Sequence, residues 1–182
     1  MKLKKEGGEN MAEMIIEKDD TVFYVTEPKD LEEIIEIEKV QYDSENRRFV
    51  YLWPMERHLE SIDCKDELHM TIKHKETQEV IGYVILSGLT EEHDVIEFDR
   101  IALKIQGKGY GRKSVQLIKS LCFEKLGCNR LWLDVFDYNT KAFELYKSED
   151  FIHEGTLRQC KKYNGKYHAM HLMSMLREEY FA

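Results

Sequence analysis

The sequence holds 182 residues, with 27 lysines and arginines against 35 aspartates and glutamates, for a formal net charge of −8. That balance disfavours nucleic acid as a partner, because non-specific binding needs basic side chains to displace counterions from phosphates. Hydrophobic residues make up 42% of a chain of one-domain length. No apolar run approaches the roughly 20 residues that cross a bilayer, so a soluble domain with no membrane partner is expected.

The opening MKLKKEGGENMAEMIIEKDD begins with lysines but has no continuous apolar core, so it does not read as a signal peptide. Residues 1–20 are expected to be a flexible leader, with Met11 and Met14 as alternative starts, and residues 21–182 to be the folded domain. Cys64, Cys122, Cys128 and Cys160 show neither CxxC spacing nor a paired histidine pattern. Reduced thiols in a cytoplasmic protein, with no metal, are the expectation. His168 and His171 are three apart, which in a strand sends them to opposite faces.

TVFYVTE (21–27) has strand composition, and Pro28-Lys29-Asp30 sets up a helix over LEEIIEIEKVQ, with Leu31, Ile34, Ile35, Glu38 and Val40 marking its period. A further helical stretch, ENRRFVYLWPMERHLESI, follows Ser44; Pro54 interrupts it, which predicts two short helices. ELHMTIKHKE alternates as a strand does, VIGYVILSGL reads as a strand buried on both faces, and VIEFDRIALK is a third. These three are expected to form an antiparallel meander. Next come a glycine-rich stretch and a helix over 110–126, with Val115, Ile118, Leu121, Cys122 and Leu126 inward and Gly127 as its C-cap. NRLWLDVF is a strand, Asn139 opens the helix TKAFELYKSED, and Asn164-Gly165 joins the two strands of a hairpin. The order predicts a mixed α/β domain with a single central, mostly antiparallel sheet flanked by helices.

QGKGYGRKSV (106–115) places three glycines immediately before a helix. A helix start carries unpaired N–H groups and the positive end of the macrodipole, and glycines let an anion approach them closely. The spacing fits neither a P-loop nor a Rossmann turn, so glycines alone leave open a phosphate cradle or an ordinary strand-to-helix turn.

The pattern that does fit is Gln-x-x-Gly-x-Gly, met by Gln106, Gly109 and Gly111, which resembles the acyl-CoA pyrophosphate loop of the GNAT superfamily of N-acetyltransferases. NTKAFELYKSEDF resembles that family's later motif through Asn139, Ala142, Tyr146 and Phe151. The likeness spans roughly residues 21–176 and is sharp between about 95 and 151. NRRFVYLW followed by MERHLESI is similar to the branch holding ribosomal-protein N-terminal and polyamine acetyltransferases. Two departures stand out: Asp150 replaces the usual glycine before Phe151, and the link from Leu103 to Gln106 is short and lacks a proline.

The resemblance implies acetyl-CoA as cosubstrate and direct transfer to a primary amine, either a small amine or polyamine or a protein N-terminus. A non-catalytic acyl-CoA sensor is the alternative. It implies cofactor contacts from Ile101, Ala102 and Leu103 along the pantetheine arm, and from Gln106, Gly107, Lys108, Gly109, Tyr110, Gly111 and Arg112 at the pyrophosphate, with Asn139 nearby. Tyr146 matches the family's general acid and Glu97 its general base, with Asp99 in reserve. Read from the residues alone, Glu97 is equally a solvent-facing strand residue, Tyr146 a core tyrosine, and Asn139 a helix cap. In a regular strand Glu97, Asp99, Ile101 and Leu103 share one face, and Phe98, Arg100 and Ala102 the other. Acceptor determinants are expected among Phe49, Trp53, Glu56, Glu60, Tyr163 and Tyr167. The oligomeric expectation is a monomer or a homodimer.

Overall fold

The computed structural model describes residues 13–41 and 49–182. The described residues form eight strands: β1 (Met14–Lys18), β2 (Thr21–Val25), β3 (Glu67–His74), β4 (Val80–Ser87), β5 (Val95–Leu103), β6 (Arg130–Phe136), β7 (Ile152–Tyr163) and β8 (Lys166–Leu176). They form one sheet in the order β1-β2-β3-β4-β5-β6-β8-β7. Every neighbouring pair is antiparallel except β5 and β6, which α3 (Tyr110–Ser120) joins as a crossover. The other helices are α1 (Leu31–Lys39), α2 (Met55–Asp63), α4 (Thr140–Ser148) and the single turn α5 (Arg177–Tyr180). This is the mixed α/β architecture that the sequence predicts. No helix among the described residues is long and apolar enough to cross a membrane.

The unbroken apolar run of β4 is explained by the helices on both sides of it. Ile81, Val84 and Leu86 pack with Phe98, Val115, Ile118 and Leu131 on the α3 side. Val80, Tyr83 and Ile85 pack with Leu31, Ile34, Ile37 and Ala102 on the α1 side. Burial of each such aliphatic side chain contributes about 1.5–3 kcal/mol. The β7–β8 hairpin turns at Asn164 (φ 48) and Gly165 (φ 75), the paired left-handed conformations for which Asn-Gly is suited.

Several local expectations are corrected. Residues 1–12 of the expected leader lie outside the described residues, but Met14–Lys18 is not a leader: it is β1, anchored by the burial of Ile16. In α1 the buried side chains are Leu31, Ile34, Ile37 and Glu38, while Val40 is exposed. Of the first short helix expected before Pro54, residues 45–48 lie outside the described residues and Phe49–Trp53 are not helical. Pro54 disfavours helical backbone in the residue before it, and α2 starts only at Met55. The helix after the glycines does reach Leu126 and ends at left-handed Gly127 (φ 73). Its last turn is widened, with Leu126 N–H bonded to the Leu121 carbonyl five residues back at 2.9 Å. That extra residue in the turn rotates Phe123 inward and leaves Leu126 exposed, against expectation.

The correction with the largest effect lies in β5. Ile85 pairs with Arg100 and Leu86 with Phe98, so Asp99 is an extra residue, a β-bulge. Beyond it the side-chain alternation inverts. Phe98 now shares the α3 side with Ile101 and Leu103, and Glu97 moves to the side of Arg100 and Ala102. β5 and β6 pair only over Val95–Glu97 and Arg130–Trp132, then diverge, whereas β6 stays paired with β8 through Phe136.

Asp150, the departure at the end of α4, keeps the turn by adopting φ 69. Phe151 N–H reaches the Tyr146 carbonyl at 3.0 Å and Asp150 N–H the Lys147 carbonyl at 3.2 Å, the double closure usually built on glycine. A left-handed L-residue costs roughly 1–2 kcal/mol, and a carboxylate faces the negative end of the helix. Asp150→Gly is therefore expected to raise stability by about 1 kcal/mol, read from the urea unfolding midpoint.

Candidate active site

Where β5 and β6 part, the sheet opens into a cleft of about 600 Å³. Its walls bring together most of the residues that the sequence singled out: Glu97, Ile101, Leu103, Gln106, Gly107, Gly109, Gly111, Arg112, Asn139 and Tyr146. Three do not line it. Ala102 is buried in the α1-side core, Tyr110 packs into the α3-side core, and Lys108 is exposed outside the cleft.

At one end stands the start of α3. Gly107 (φ 79) and Gly109 (φ 83) are left-handed, and a Cβ added to either would meet nothing within 4 Å, so their missing side chains leave open space in front of the helix. That is a cradle a side chain would fill and an anion can enter. Gly111 differs: its Cβ would lie 3.4 Å from Leu145 and 3.7 Å from Leu103, at ordinary packing distance, so the packing here does not itself require a glycine. Arg112 turns toward α4, where it pairs with Glu149 and donates to Ser148 Oγ at 3.0 Å. Asn139 caps α4, its Oδ1 accepting from Ala142 N–H at 3.3 Å. Gln41 donates from Nε2 to the Leu103 carbonyl at 2.9 Å, a cleft contact that no sequence pattern announces.

At the other end three carboxylates gather: Glu97 and Asp99 on β5, and Asp134 on β6. Burial, then the charges of Asp99 and Asp134, push the Glu97 carboxyl up to about 7, against the Ser87 hydroxyl bond and the Lys161 charge. Burial also raises Asp99, whose side chain remains water-accessible within the cleft, and raises Asp134. The sequence reading missed Asp134, although one acid inside the apolar strand NRLWLDVF was a usable signal. Tyr146 reaches the cleft through the opening from the α4 side, edge-on to Phe98 with ring centroids 5.8 Å apart. Burial, followed by Asp134, raises its pKa and keeps the phenol protonated.

Residues 32–151 match the model of the Acetyltransferase (GNAT) family. The chain belongs to the GNAT family. Over 107 residues it is 32% identical to the uncharacterized N-acetyltransferase p20 of Bacillus licheniformis, a match spanning 58% of this chain and 60% of that protein. Among solved structures, a chimeric spermidine N-acetyltransferase from Vibrio cholerae superposes with TM-score 0.79 at 24% identity, over 90% of this chain and 99% of that one. The Vibrio cholerae spermidine N-acetyltransferase in complex with CoA and spermine gives 0.76 at 24% identity, over 90% and 99%. A dodecameric structure of the enzyme gives 0.74 at 25% identity, over 88% and 96%.

In this GNAT chain a strap, Phe49–Trp53, forms one wall of the cleft through Phe49, Val50 and Tyr51. Without helical hydrogen bonds of its own, it is fastened by a buried ion pair. Arg100 donates from Nη2 to Glu38 Oε1 at 2.9 Å and also to the Tyr51 carbonyl, while Glu38 Oε2 accepts from Trp53 N–H at 2.9 Å. The Arg100 guanidinium lies 4.1 Å, and that of Arg57 4.2 Å, from the centre of the Trp53 ring. Burial raises the Glu38 pKa, but His58, Tyr83, Trp53 N–H and the Arg100 charge together outweigh it and lower the carboxyl overall. From Glu38 a buried polar chain continues inward: His58 Nδ1 to His69 Nε2 at 3.0 Å, His69 Nδ1 to Thr26 Oγ1 at 2.9 Å, and Thr26 to Thr71 at 2.8 Å. Burial drops the His69 pKa to about 3, so the chain contains a neutral imidazole. Removing one member of a buried ion pair strands the other charge, so Arg100→Met is expected to cost about 3–5 kcal/mol in urea unfolding.

Proposed function

We propose that the protein transfers an acetyl group from acetyl-CoA to the primary amine of a small cationic acceptor. The observation that carries this reading is the meeting, across one opening in the sheet, of Glu97 from the α1 side and Tyr146 from the α4 side, with the glycine-lined start of α3 at the far end. Backbone N–H groups at Gly107–Arg112 would hold the pyrophosphate, and the diverging edge of β5 at Ile101 and Leu103 would align the pantetheine arm. When bound, acetyl-CoA supplies an activated thioester carbonyl.

The side chains then have separate tasks. An aliphatic amine with a pKa near 10.4 is neutral in only about one part in 10³ at pH 7. Glu97, directly or through water, takes its surplus proton; a carboxyl titrating at about 7 is suited to that work near neutral pH. The Tyr146 phenol, still protonated, donates toward the departing sulfur. Asp99 and Asp134 add negative charge where a cationic amine would dock. The complex of the Vibrio cholerae enzyme with CoA and spermine supports a polyamine as the first acceptor to try.

The decisive assay is thiol release from acetyl-CoA with spermidine, spermine and a short peptide bearing a free N-terminus. Turnover with a polyamine but not the peptide is the expected result; no turnover despite CoA binding would instead favour a non-catalytic sensor. Because the base is the carboxylate, kcat/KM is expected to fall below pH 7 as Glu97 takes up its proton and to rise through about pH 7 as it loses it. Glu97→Gln is expected to remove that step while leaving the amine's own dependence at higher pH. Tyr146→Phe is expected to lower kcat about a hundredfold with little change in acetyl-CoA affinity, measured by calorimetric titration.

A further inference from the structure

Among the described residues, the cations that line the cleft are engaged with one exception. Arg100 is held by Glu38, Arg112 by Glu149, and Lys141 reaches the Gln106 side chain at 3.4 Å. Lys161, on β7, also lines the cleft, but it has no hydrogen bond or ion pair to any described residue. Its nearest ring is Tyr51 of the strap, with Nζ 5.9 Å from the centroid.

The backbone aims it there. Between Leu157 and Lys161 strand β7 slips out of register, four steps opposing the two from Met170 to His168 on β8, with Gln159 at φ 52. Such irregularities redirect side chains. His168 and Met170 share one face of β8, and register carries that face onto Phe136 and Asp134 of β6. Lys161 therefore stands on the face that carries Asp134 and, after the bulge of β5, Glu97. Its charge helps to hold down the carboxyls of both.

We propose that Lys161 is itself an acetyl acceptor, modified by its own cleft when acetyl-CoA is bound and no external amine is present; this rests on the acetyltransferase reading above. Lys161 presents the same functional group as the substrate, half-buried among the same carboxylates. Glu97 takes a proton from the ammonium, and the freed Nζ lone pair forms the N–C bond to the thioester carbonyl. The C–S bond breaks, the sulfur leaves with its electron pair and takes a proton from Tyr146, and the remaining surplus proton on nitrogen passes to Tyr146 through water. The balance is one ammonium and one thioester giving one amide, one thiol and one proton released from Glu97 to solvent. The amide carries no charge, so the modified cleft loses the Lys161 charge and becomes more negative toward an incoming cationic amine.

The experiment is incubation of the purified chain with acetyl-CoA and no amine, followed by intact-mass measurement and peptide mapping. Lys162 is the internal control for chemical acetylation: it is adjacent, exposed, and 5.4 Å from the ring of Tyr167 rather than in the cleft. Lys161 is expected to be acetylated on the order of a hundredfold faster than Lys162, because it lines the cleft in which the donor would bind and Lys162 does not. The gain is expected to vanish in Lys161→Arg and Gly109→Glu, and to slow when spermidine is added. Equal rates at Lys161 and Lys162, or undiminished Lys161 acetylation in Gly109→Glu, would overturn the proposal. Calorimetric titration of the same sample with CoA separates the two levels of failure. Binding without Lys161 modification defeats only the self-acetylation; absence of binding defeats the acetyltransferase reading with it.

Discussion

Two parallel strands that pair over only three residues and then diverge create an interior surface with no sheet partner, and most of the chemistry of this chain is organised around that surface. In β5 and β6 the divergence follows the bulge at Asp99. One inserted residue has two effects: it bends β5 away from β6, and it turns Glu97 to the side where Asp134 stands. Without it, Glu97 would share a face with Ile101 and Leu103 and point toward α3. The opening also lets Tyr146 reach through from the opposite layer, so groups from both faces of one sheet meet. Polar backbone edges inside a protein need partners, and a cleft lets water or a ligand serve as one.

The second constraint is electrostatic. Glu38 and Arg100 are both buried, and a buried pair of this kind is rarely a net gain over well-packed apolar residues. What it contributes here is location. The same two side chains bind Trp53 N–H and the Tyr51 carbonyl, so the strap is attached to the strand that carries Asp99 and Glu97. Two opposite tendencies thus operate close to β5, one at the α1 carboxyl that Arg100 holds and one at Glu97 on the strand itself. The Glu38 carboxyl is held ionised by donors, while the Glu97 carboxyl, with few donors and two acidic neighbours, is held close to neutrality.

Much of this was legible in the sequence because it depends on local spacing. The glycines at 107, 109 and 111, the cap at Asn139, the Asn-Gly turn and the parallel crossover unit are all written in short stretches, and each stands where expected. The bulge was not legible: VIEFDRIAL has the alternation of a regular strand, and only its pairing with β4 shows that Asp99 is extra. The strap was misread because FVYLW has helix-compatible periodicity, whereas its conformation is decided by Glu38 and Arg100, distant in sequence. β1 was missed because two isoleucines in a polar stretch are a weak signal without β2 beside them. Gln41, Asp134 and Lys161 join the site only through tertiary structure, from a helix end and from two strands on the far side of the opening.

The placement of the aromatic residues has a practical side as well. The chain has two tryptophans. Trp53 lies against two guanidinium groups at the end of the strap, and Trp132 faces Glu97 at the last rung where β5 and β6 still pair. Neither indole lines the cleft, but each belongs to an element that shapes it: Trp53 ends the strap, and Trp132 pairs with Glu97 on the last rung before β5 and β6 part. The protein carries its own optical probe: its tryptophan emission, excited apart from the ten tyrosines, reports on the end of the strap and the point where β5 and β6 part, without a label.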